Sequence, residues 1–258
     1  KDRPNPNLRK DTTICKGDTI VLEVFDGISY KWSNDSTTKL ILVSPISTET
    51  YFVTVTGSNG CTIEDTVLIS VKTVNAVALA VDSVICYGDS TQLIASGGNA
   101  YNWLITEGMN DFTVENPKVS PTSSIKYIVQ VIDTITGCMA QVDVYVKVNP
   151  LPYANAGKDT VICNDSIVGL SATGGINYIW NNVSTLDNNM KQSVIAKPSV
   201  TTTYIVTVID GNGCYSTDDV VVYISPINVT LGIDKTVCEG DSVMLIANGS
   251  GDSIISYK

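Results

Sequence analysis

Apolar and polar side chains alternate with a period of two along most of this chain. Ile20, Leu22 and Val24 alternate with Val21 and Glu23. The run Tyr204–Val208 alternates again, and Val220 to Ile224 carries a last apolar segment. A two-residue period puts successive side chains on opposite faces, which predicts strands with one buried face. The breaks between these runs are turn-forming: Lys16-Gly17-Asp18, Gly57-Ser58-Asn59-Gly60, Gly97-Gly98-Asn99 and Asp210-Gly211-Asn212-Gly213. About seven short strands with turns every 8–12 residues predict an antiparallel β-sandwich. No breaker-free stretch has a helical period, so the fold class is all-β.

The pattern is also periodic on a longer scale. Cys15, Cys86, Cys163 and Cys238 each follow a Val or Ile in a similar sequence, as in Thr-Ile-Cys-Lys-Gly-Asp and Val-Ile-Cys-Tyr-Gly-Asp. Seventeen residues after the first three stand Trp32, Trp103 and Trp180, each within Tyr-x-Trp. Pro45, Pro121 and Pro198 each precede Tyr51, Tyr127 and Tyr204 by six residues. Each unit then reaches a Gly-Cys pair, at Cys61, Cys138 and Cys214. The expected organisation is a linker over 1–10, repeats over 11–75, 76–151 and 152–227, and an incomplete fourth repeat over 228–258. The tryptophans and the three tyrosines are expected in the cores, because each sits at a fixed place on a period-two strand.

Composition narrows what such an array does. The 258 residues carry 16 basic and 26 acidic side chains, a net charge of −10, with no histidine. The acidic balance argues against a nucleic-acid partner, which would need clustered Lys and Arg. Without histidine there is no imidazole base or imidazole metal ligand. No CxxC spacing suggests a thiolate metal cluster, and no Asp/Asn-rich loop, such as that at Asp210 or Asp187, has EF-hand spacing. No cofactor or metal is therefore expected, and the segment is read as non-catalytic. No apolar run reaches 18 residues, so no membrane-spanning helix is expected.

Regularly placed cysteines point to an oxidising compartment. Two pairings compete. Pairing within units gives Cys15–Cys61, Cys86–Cys138 and Cys163–Cys214. Pairing between neighbours gives Cys15–Cys138 and Cys86–Cys214, stapling the array into a rod. In an immunoglobulin-like sandwich the first and second cysteine positions fall at opposite ends, some 20–30 Å apart at ~3.3 Å per residue. A disulfide needs Cα atoms within about 7 Å. The geometry thus favours neighbours, ordinary precedent favours units, and both stay open. Cys238, the seventh, belongs to the fourth unit, whose Gly-Cys position lies beyond Lys258.

The ordered set Val/Ile-Cys-x-Gly-Asp-Ser, Leu-x-Ala, Tyr-x-Trp, Pro-x5-Tyr-x-Val-x-Val and Gly-Cys resembles the PKD-like and Ig-like repeats of giant Bacteroidota cell-surface adhesins, including gliding-motility adhesins of the SprB type. The resemblance covers Asp11 to Lys258. It departs in repeat 3, where Asn164-Asp165-Ser166 replaces x-Gly-Asp, and in repeat 1, which is five residues shorter between Trp32 and Pro45. It implies a secreted glycoprotein exported by type IX secretion and displayed at the outer membrane in adhesion or gliding. Its partners would be the neighbouring repeats, the secretion machinery, and surface polysaccharide or other cell-surface proteins. The alternative is a set of accessory stalk domains of a large extracellular enzyme.

Eleven of the twenty aspartates precede Ser or Thr. The acceptors are Thr12, Thr19, Ser36, Thr66, Ser83, Ser90, Thr134, Thr160, Ser166, Ser242 and Ser253. Asp-Ser/Thr is good turn-to-strand chemistry. It also resembles the O-glycosylation acceptor of exported Bacteroidota proteins, so both readings stand. The carboxylate pairs Glu64-Asp65 and Asp218-Asp219 point to opposite strand faces and are expected to act as edge charges against aggregation. A candidate binding loop is the variable segment Leu104 to Lys118, with Met109 and Phe112.

Overall fold

The computed structural model describes residues 3–225, 228–231, 234, 236–244 and 247–250. Repeat 1 contains β1 (Thr12–Cys15), β2 (Ile20–Glu23), β3 (Ser29–Trp32), β4 (Leu40–Val43), β5 (Glu49–Thr56) and β6 (Thr62–Lys72). One sheet has the order β1-β6-β5-β3, and β2 pairs with β4 in the other. The alternation explains the layering. Leu22 and Val24 come from one sheet and its flank, Trp32, Val53, Val55, Val67 and Ile69 from the other, and all are buried in one cluster. Their neighbours Val21 and Phe52 face solvent.

The second and third repeats reuse this plan. Repeat 2 runs β7 (Val77–Ala80), β8 (Val84–Cys86), β9 (Thr91–Ser96), β10 (Ala100–Trp103), β11 (Lys118–Val119), β12 (Ile125–Asp133) and β13 (Cys138–Asn149). Its sheets are β10-β12-β13-β8 and β11-β9-β7. Repeat 3 runs β14 (Thr160–Cys163), β15 (Val168–Ser171), β16 (Asn177–Trp180), β17 (Ser193–Ala196), β18 (Thr202–Ile209) and β19 (Tyr215–Ser225). Its sheets are β14-β19-β18-β16 and β15-β17. Beyond it, β20 (Asn228–Leu231) pairs antiparallel with β21 (Ala247–Ser250). The three repeats are tandem Ig-like β-sandwiches. Most pairings are antiparallel, but β1 lies parallel to β6 and β14 parallel to β19.

The chain divides into two compact units, Lys1–Val148 and Asn149–Lys258. The first holds two separate cores and the second holds one. Each core is centred on its tryptophan, and Trp32, Trp103 and Trp180 are each only 1% exposed. Tyr51, Tyr127 and Tyr204 lie in the same three clusters.

Several sequence expectations change. Repeats 1 and 3 have six strands, and only repeat 2 has seven, because its leading segment forms β7 against β9. Residues 4–8, expected as a linker, lie along repeat 1. Asn5 N–H donates to Asp26 Oδ2 at 2.8 Å, Phe25 N–H donates to the Pro6 carbonyl at 3.1 Å, and Leu8 packs on the core. Val74 and Ala76, at the expected junction of repeats 1 and 2, pack against the second core. Among the described residues a single 3₁₀ turn, Val183–Thr185, interrupts the strands.

The two-glycine turns have a tertiary reason. At Gly97 (φ 106°) a Cβ would collide with the Asn75 carbonyl, and at Gly174 (φ 112°) with the Tyr153 carbonyl. The leading segments of repeats 2 and 3 cross directly over these turns, so a side chain has neither the dihedral nor the space.

The carboxylate pairs lie ahead of the stretches of β6 and β19 that pair with β1 and β14, which begin at Ile69 and Val222. Both β6 and β19 lie inside their sheets, between β1 and β5 and between β14 and β18. The half-buried member of each pair, on the same strand face as Val67 or Val220, accepts a backbone hydrogen bond from the leading segment. Leu8 N–H donates to Asp65 Oδ2 at 3.2 Å, and Ala156 N–H donates to Asp218 Oδ2 at 2.8 Å.

Candidate functional site

The cysteines occupy two recurring local structures. The first position ends a short strand at Cys15 (β1), Cys86 (β8) and Cys163 (β14), and in all four units it enters a tight turn. Asp18 N–H donates to the Cys15 carbonyl at 3.0 Å, Asp89 N–H to that of Cys86 at 3.0 Å, Ser166 N–H to that of Cys163 at 3.2 Å, and Asp241 N–H to that of Cys238 at 3.1 Å. This turn needs a left-handed residue, supplied by Gly17, Gly88, Asp165 and Gly240. Asp165 accounts for the departure of repeat 3, since Asp tolerates that conformation better than most side chains. In repeat 1, Asp18 Oδ2 also accepts the Cys15 N–H at 3.0 Å.

The second position closes the hairpin before the final strand. The Cys61 carbonyl accepts Gly57 N–H and the Cys214 carbonyl accepts Asp210 N–H, both at 2.9 Å. An Asx side chain caps the cysteine amide: Asn59 Oδ1 at 3.0 Å for Cys61 and Asp210 Oδ1 at 2.9 Å for Cys214. Repeat 2 uses Thr136 and Asp133 instead. Cys138 N–H donates to Thr136 Oγ1, and Thr136 Oγ1 donates to Asp133 Oδ2 at 2.7 Å. That hydrogen bond, helped by the backbone N–H of Ile135, holds the Asp133 carboxyl below its usual range.

Between the two classes runs a covalent bond. Cys15 of repeat 1 is joined to Cys138 of repeat 2, with Cα atoms 5.4 Å apart and a sequence separation of 123. For these two cysteines the neighbour pairing is therefore the one present, and Cys15–Cys61 and Cys86–Cys138 do not form. The strand directions explain it, because β1 delivers Cys15 beside Lys72, at the end of β6 where repeat 1 hands over to repeat 2. The hairpin that opens β13 meets that end, and Lys72 and Val74 line a small cleft with Cys15, Cys138 and Met139. The Lys72 charge adds to the depression of Asp133. Cys86 and Cys214 are also disulfide-bonded. Cys61, Cys163 and Cys238 are free thiols, the first half-buried and the others exposed.

A second recurring cluster surrounds the tryptophans. Trp32 Nε1–H donates to the Thr38 carbonyl at 2.8 Å, Trp103 to Val114 at 3.1 Å and Trp180 to Lys191 at 3.0 Å. The segment after each tryptophan thus satisfies the indole N–H as it wraps around it. Within that segment Met109 packs on the core of repeat 2 and bridges Val119, so of the two residues proposed to bind, only Phe112 (50% exposed) faces solvent. Met190 in the equivalent segment of repeat 3 is exposed.

The longer segments of repeats 2 and 3 also hold the buried tyrosine hydroxyls. Tyr127 donates to the Glu107 carbonyl at 2.6 Å, and the Tyr204 hydroxyl lies 2.8 Å from Thr185 Oγ1. In repeat 1, where those five residues are missing, Tyr51 turns to Glu49 Oε2 at 2.9 Å. Burial, then the neighbouring glutamate, pushes both Tyr51 and Tyr127 up to about 12.

Sequence reading missed a third set, the tyrosines of Tyr-x-Trp. Tyr30, Tyr101 and Tyr178 donate to the carbonyls of Gly27, Gly98 and Gly175 at 2.9, 3.0 and 2.7 Å. The invariant three-residue offset from glycine to tyrosine was the available signal.

Of the candidate glycosylation acceptors, Thr19, Thr66, Ser83, Thr134 and Ser242 are exposed. Thr12, Ser36, Ser90, Thr160 and Ser166 are half-buried, and Ser253 lies outside the described residues. Among the described residues, no three His, Cys, Asp or Glu side chains converge as metal ligands, and no helix is long and apolar enough to cross a membrane.

No protein-family model and no curated protein matches this chain. Among solved structures it is similar to the N-terminal eight Ig domains of Down Syndrome Cell Adhesion Molecule, at 11% identity over 86% of this chain and a TM-score of 0.43. The chain spans 36% of that fragment. Drosophila OTK extracellular domains 3–5 align at 8% identity, over 86% of this chain and 96% of that one, with a TM-score of 0.34. A three-Ig-domain fragment of titin aligns at 11% identity, over 86% and 96%, with a TM-score of 0.37. At these identities the likeness is one of fold.

Proposed function

We propose that this chain is a non-catalytic, load-carrying repeat region of a large exported cell-surface adhesin or filament. The observation that carries the reading is the Cys15–Cys138 bond, which joins one sandwich to the next instead of closing either on itself. A bond inside a domain stabilises that domain; a bond between domains fixes their succession. Such a bond persists in oxidising surroundings, which supports display outside the cell. The net charge of −10 and the buried, hydrogen-bonded tryptophans fit a scaffold better than a nucleic-acid or sugar-stacking site.

In its finer form the proposal is the resemblance drawn from sequence: a gliding or attachment adhesin of a Bacteroidota outer membrane, exported by type IX secretion. Its contacts would be neighbouring repeats and surface polysaccharide or protein, reached through exposed loop residues such as Phe112. The exposed Asp-Ser/Thr acceptors would carry O-glycans, seen as sugar-spaced heterogeneity in the intact mass of native protein. A single unmodified mass would rule those glycans out.

The test is antibody labelling of intact cells of the native organism, using serum raised against the folded chain. Surface staining removed by external protease is expected, together with loss of surface attachment on deletion of the protein. Staining that appears only after permeabilisation would overturn the proposal.

A further inference from the structure

Cys61 and Cys163 repeat the two halves of the bond seen between Cys15 and Cys138, but each half stands alone. Cys163 ends β14 exactly where Cys15 ends β1: Cys15 is paired with Lys72 and Cys163 with Ser225, in parallel registers at the last position of each strand. Cys61 occupies the same hairpin as Cys214, with its carbonyl accepting the amide four residues earlier in both and its own amide capped by an Asx side chain, from Asn59 two residues before Cys61 and from Asp210 four residues before Cys214. The bonded hairpin cysteines Cys138 and Cys214 are 2% and 0% exposed, whereas Cys61 remains half-buried. The strand-end cysteine Cys163 is exposed. Both thiols are thus accessible and both are held in the geometry that bonds elsewhere in this chain.

We propose that Cys61 and Cys163 are the open ends of a directional disulfide ladder, each taking a further Ig-like repeat of the same polypeptide. The rule is the one set by Cys15 and Cys138: the strand-end cysteine of one repeat bonds the hairpin cysteine of the repeat after it. Cys61, a hairpin cysteine, takes the Val/Ile-Cys-x-Gly-Asp strand end of a repeat preceding repeat 1. Cys163, a strand-end cysteine, takes the Gly-Cys hairpin of the repeat following repeat 3. Neither accepts the other, because within one chain they would run the ladder backwards. The same polypeptide is the source because Cys15 and Cys138 belong to consecutive repeats of one chain.

Each bond forms by two-electron oxidation. Two thiols lose two protons and two electrons, one S–S bond forms, and a disulfide oxidant such as a thiol oxidoreductase is reduced to its dithiol. This deepens the structural reading above and rests on it, since a ladder requires an array of such repeats.

The test is non-reducing peptide mapping of the full-length protein, purified from its native source with free thiols blocked by N-ethylmaleimide. The expected result is at least a tenfold depletion of alkylated Cys61 and Cys163 relative to a reduced control. Cys61 should be recovered linked to a strand-end cysteine peptide and Cys163 linked to a Gly-Cys hairpin peptide. Recovery of either cysteine mainly in alkylated form overturns the proposal, as does a bond between two cysteines of the same class. Bonds that join separate chains, visible as reductant-sensitive oligomers on a denaturing gel, overturn the assignment to one polypeptide. Surface display is measured separately by antibody labelling, so the ladder can fail while the surface assignment stands.

Discussion

The Tyr127 hydroxyl illustrates what single residues contribute. The ring belongs to the core of repeat 2 and is fully buried, while the hydroxyl reaches the Glu107 carbonyl at 2.6 Å. Ionisation would remove the donated proton and leave a charge in a poorly solvated place, so the group is pushed up to about 12 from an ordinary 10. An acid whose folded value is raised stabilises the fold only while the unfolded chain also keeps its proton. Stability should therefore hold up to pH 10 and fall as the pH rises from 10 towards 12. Thermal melts across that range should show a shallower decline in Tyr127→Phe than in the native chain. Equal slopes would show that Tyr127 titrates normally. That Tyr127 would be buried was legible from its place in a repeated period-two strand. Its partner was not, because Glu107 lies in a segment whose path depends on wrapping Trp103.

At the scale of elements, periodicity located the strands but not their neighbours. The sequence gives no sign that residue 77 begins a strand while residue 6 or 153 does not, because the choice is made across the sheet. In repeats 1 and 3 the final strand offers Asp65 or Asp218 to the amides of the leading segment. Repeat 2 has Val142 at the corresponding position, four residues after its hairpin cysteine, and its leading segment pairs with β9 instead. The carboxylates were visible in the sequence, yet their role depends on the leading segment passing beside β6 and β19. Replacing Asp218 with Ala leaves the buried Ala156 amide without its acceptor, a loss of about 2 kcal/mol for a hydrogen bond to a charged group. Hydrogen exchange should report it as faster exchange at Ala156, with the β18–β19 amides much less affected. Unchanged protection at Ala156 would mean that the carboxylate does not hold the segment.

At the scale of the whole chain, the cysteine spacing was legible and the pairing was not, since spacing alone left two solutions. The deciding fact is tertiary: parallel pairing of β1 with β6 brings Cys15 to the end of repeat 1 that faces the hairpin at Cys138. This bond closes a 123-residue loop and by chain entropy stabilises the first unit by about 5 kcal/mol. It also changes how that unit carries tension. A pull applied at Lys10 and Lys147 reaches Cys15 within a few residues, crosses the sulfur bridge and continues from Cys138 along β13. Nearly all of both sandwiches then hangs off the loaded path, and even complete unfolding cannot lengthen it. Once the bond is reduced, the same pull must run through every strand between the two cysteines. That sequence separation of 123, at ~3.6 Å per residue, adds about 440 Å of contour. Single-molecule extension between handles at Lys10 and Lys147 should therefore show only a short, nearly constant contour in oxidising buffer. Added dithiothreitol should release about 440 Å more as the two repeats unfold. A full-length extension in oxidising buffer would mean that Cys15 and Cys138 do not share the load, and with it the load-carrying role proposed for this chain would fall.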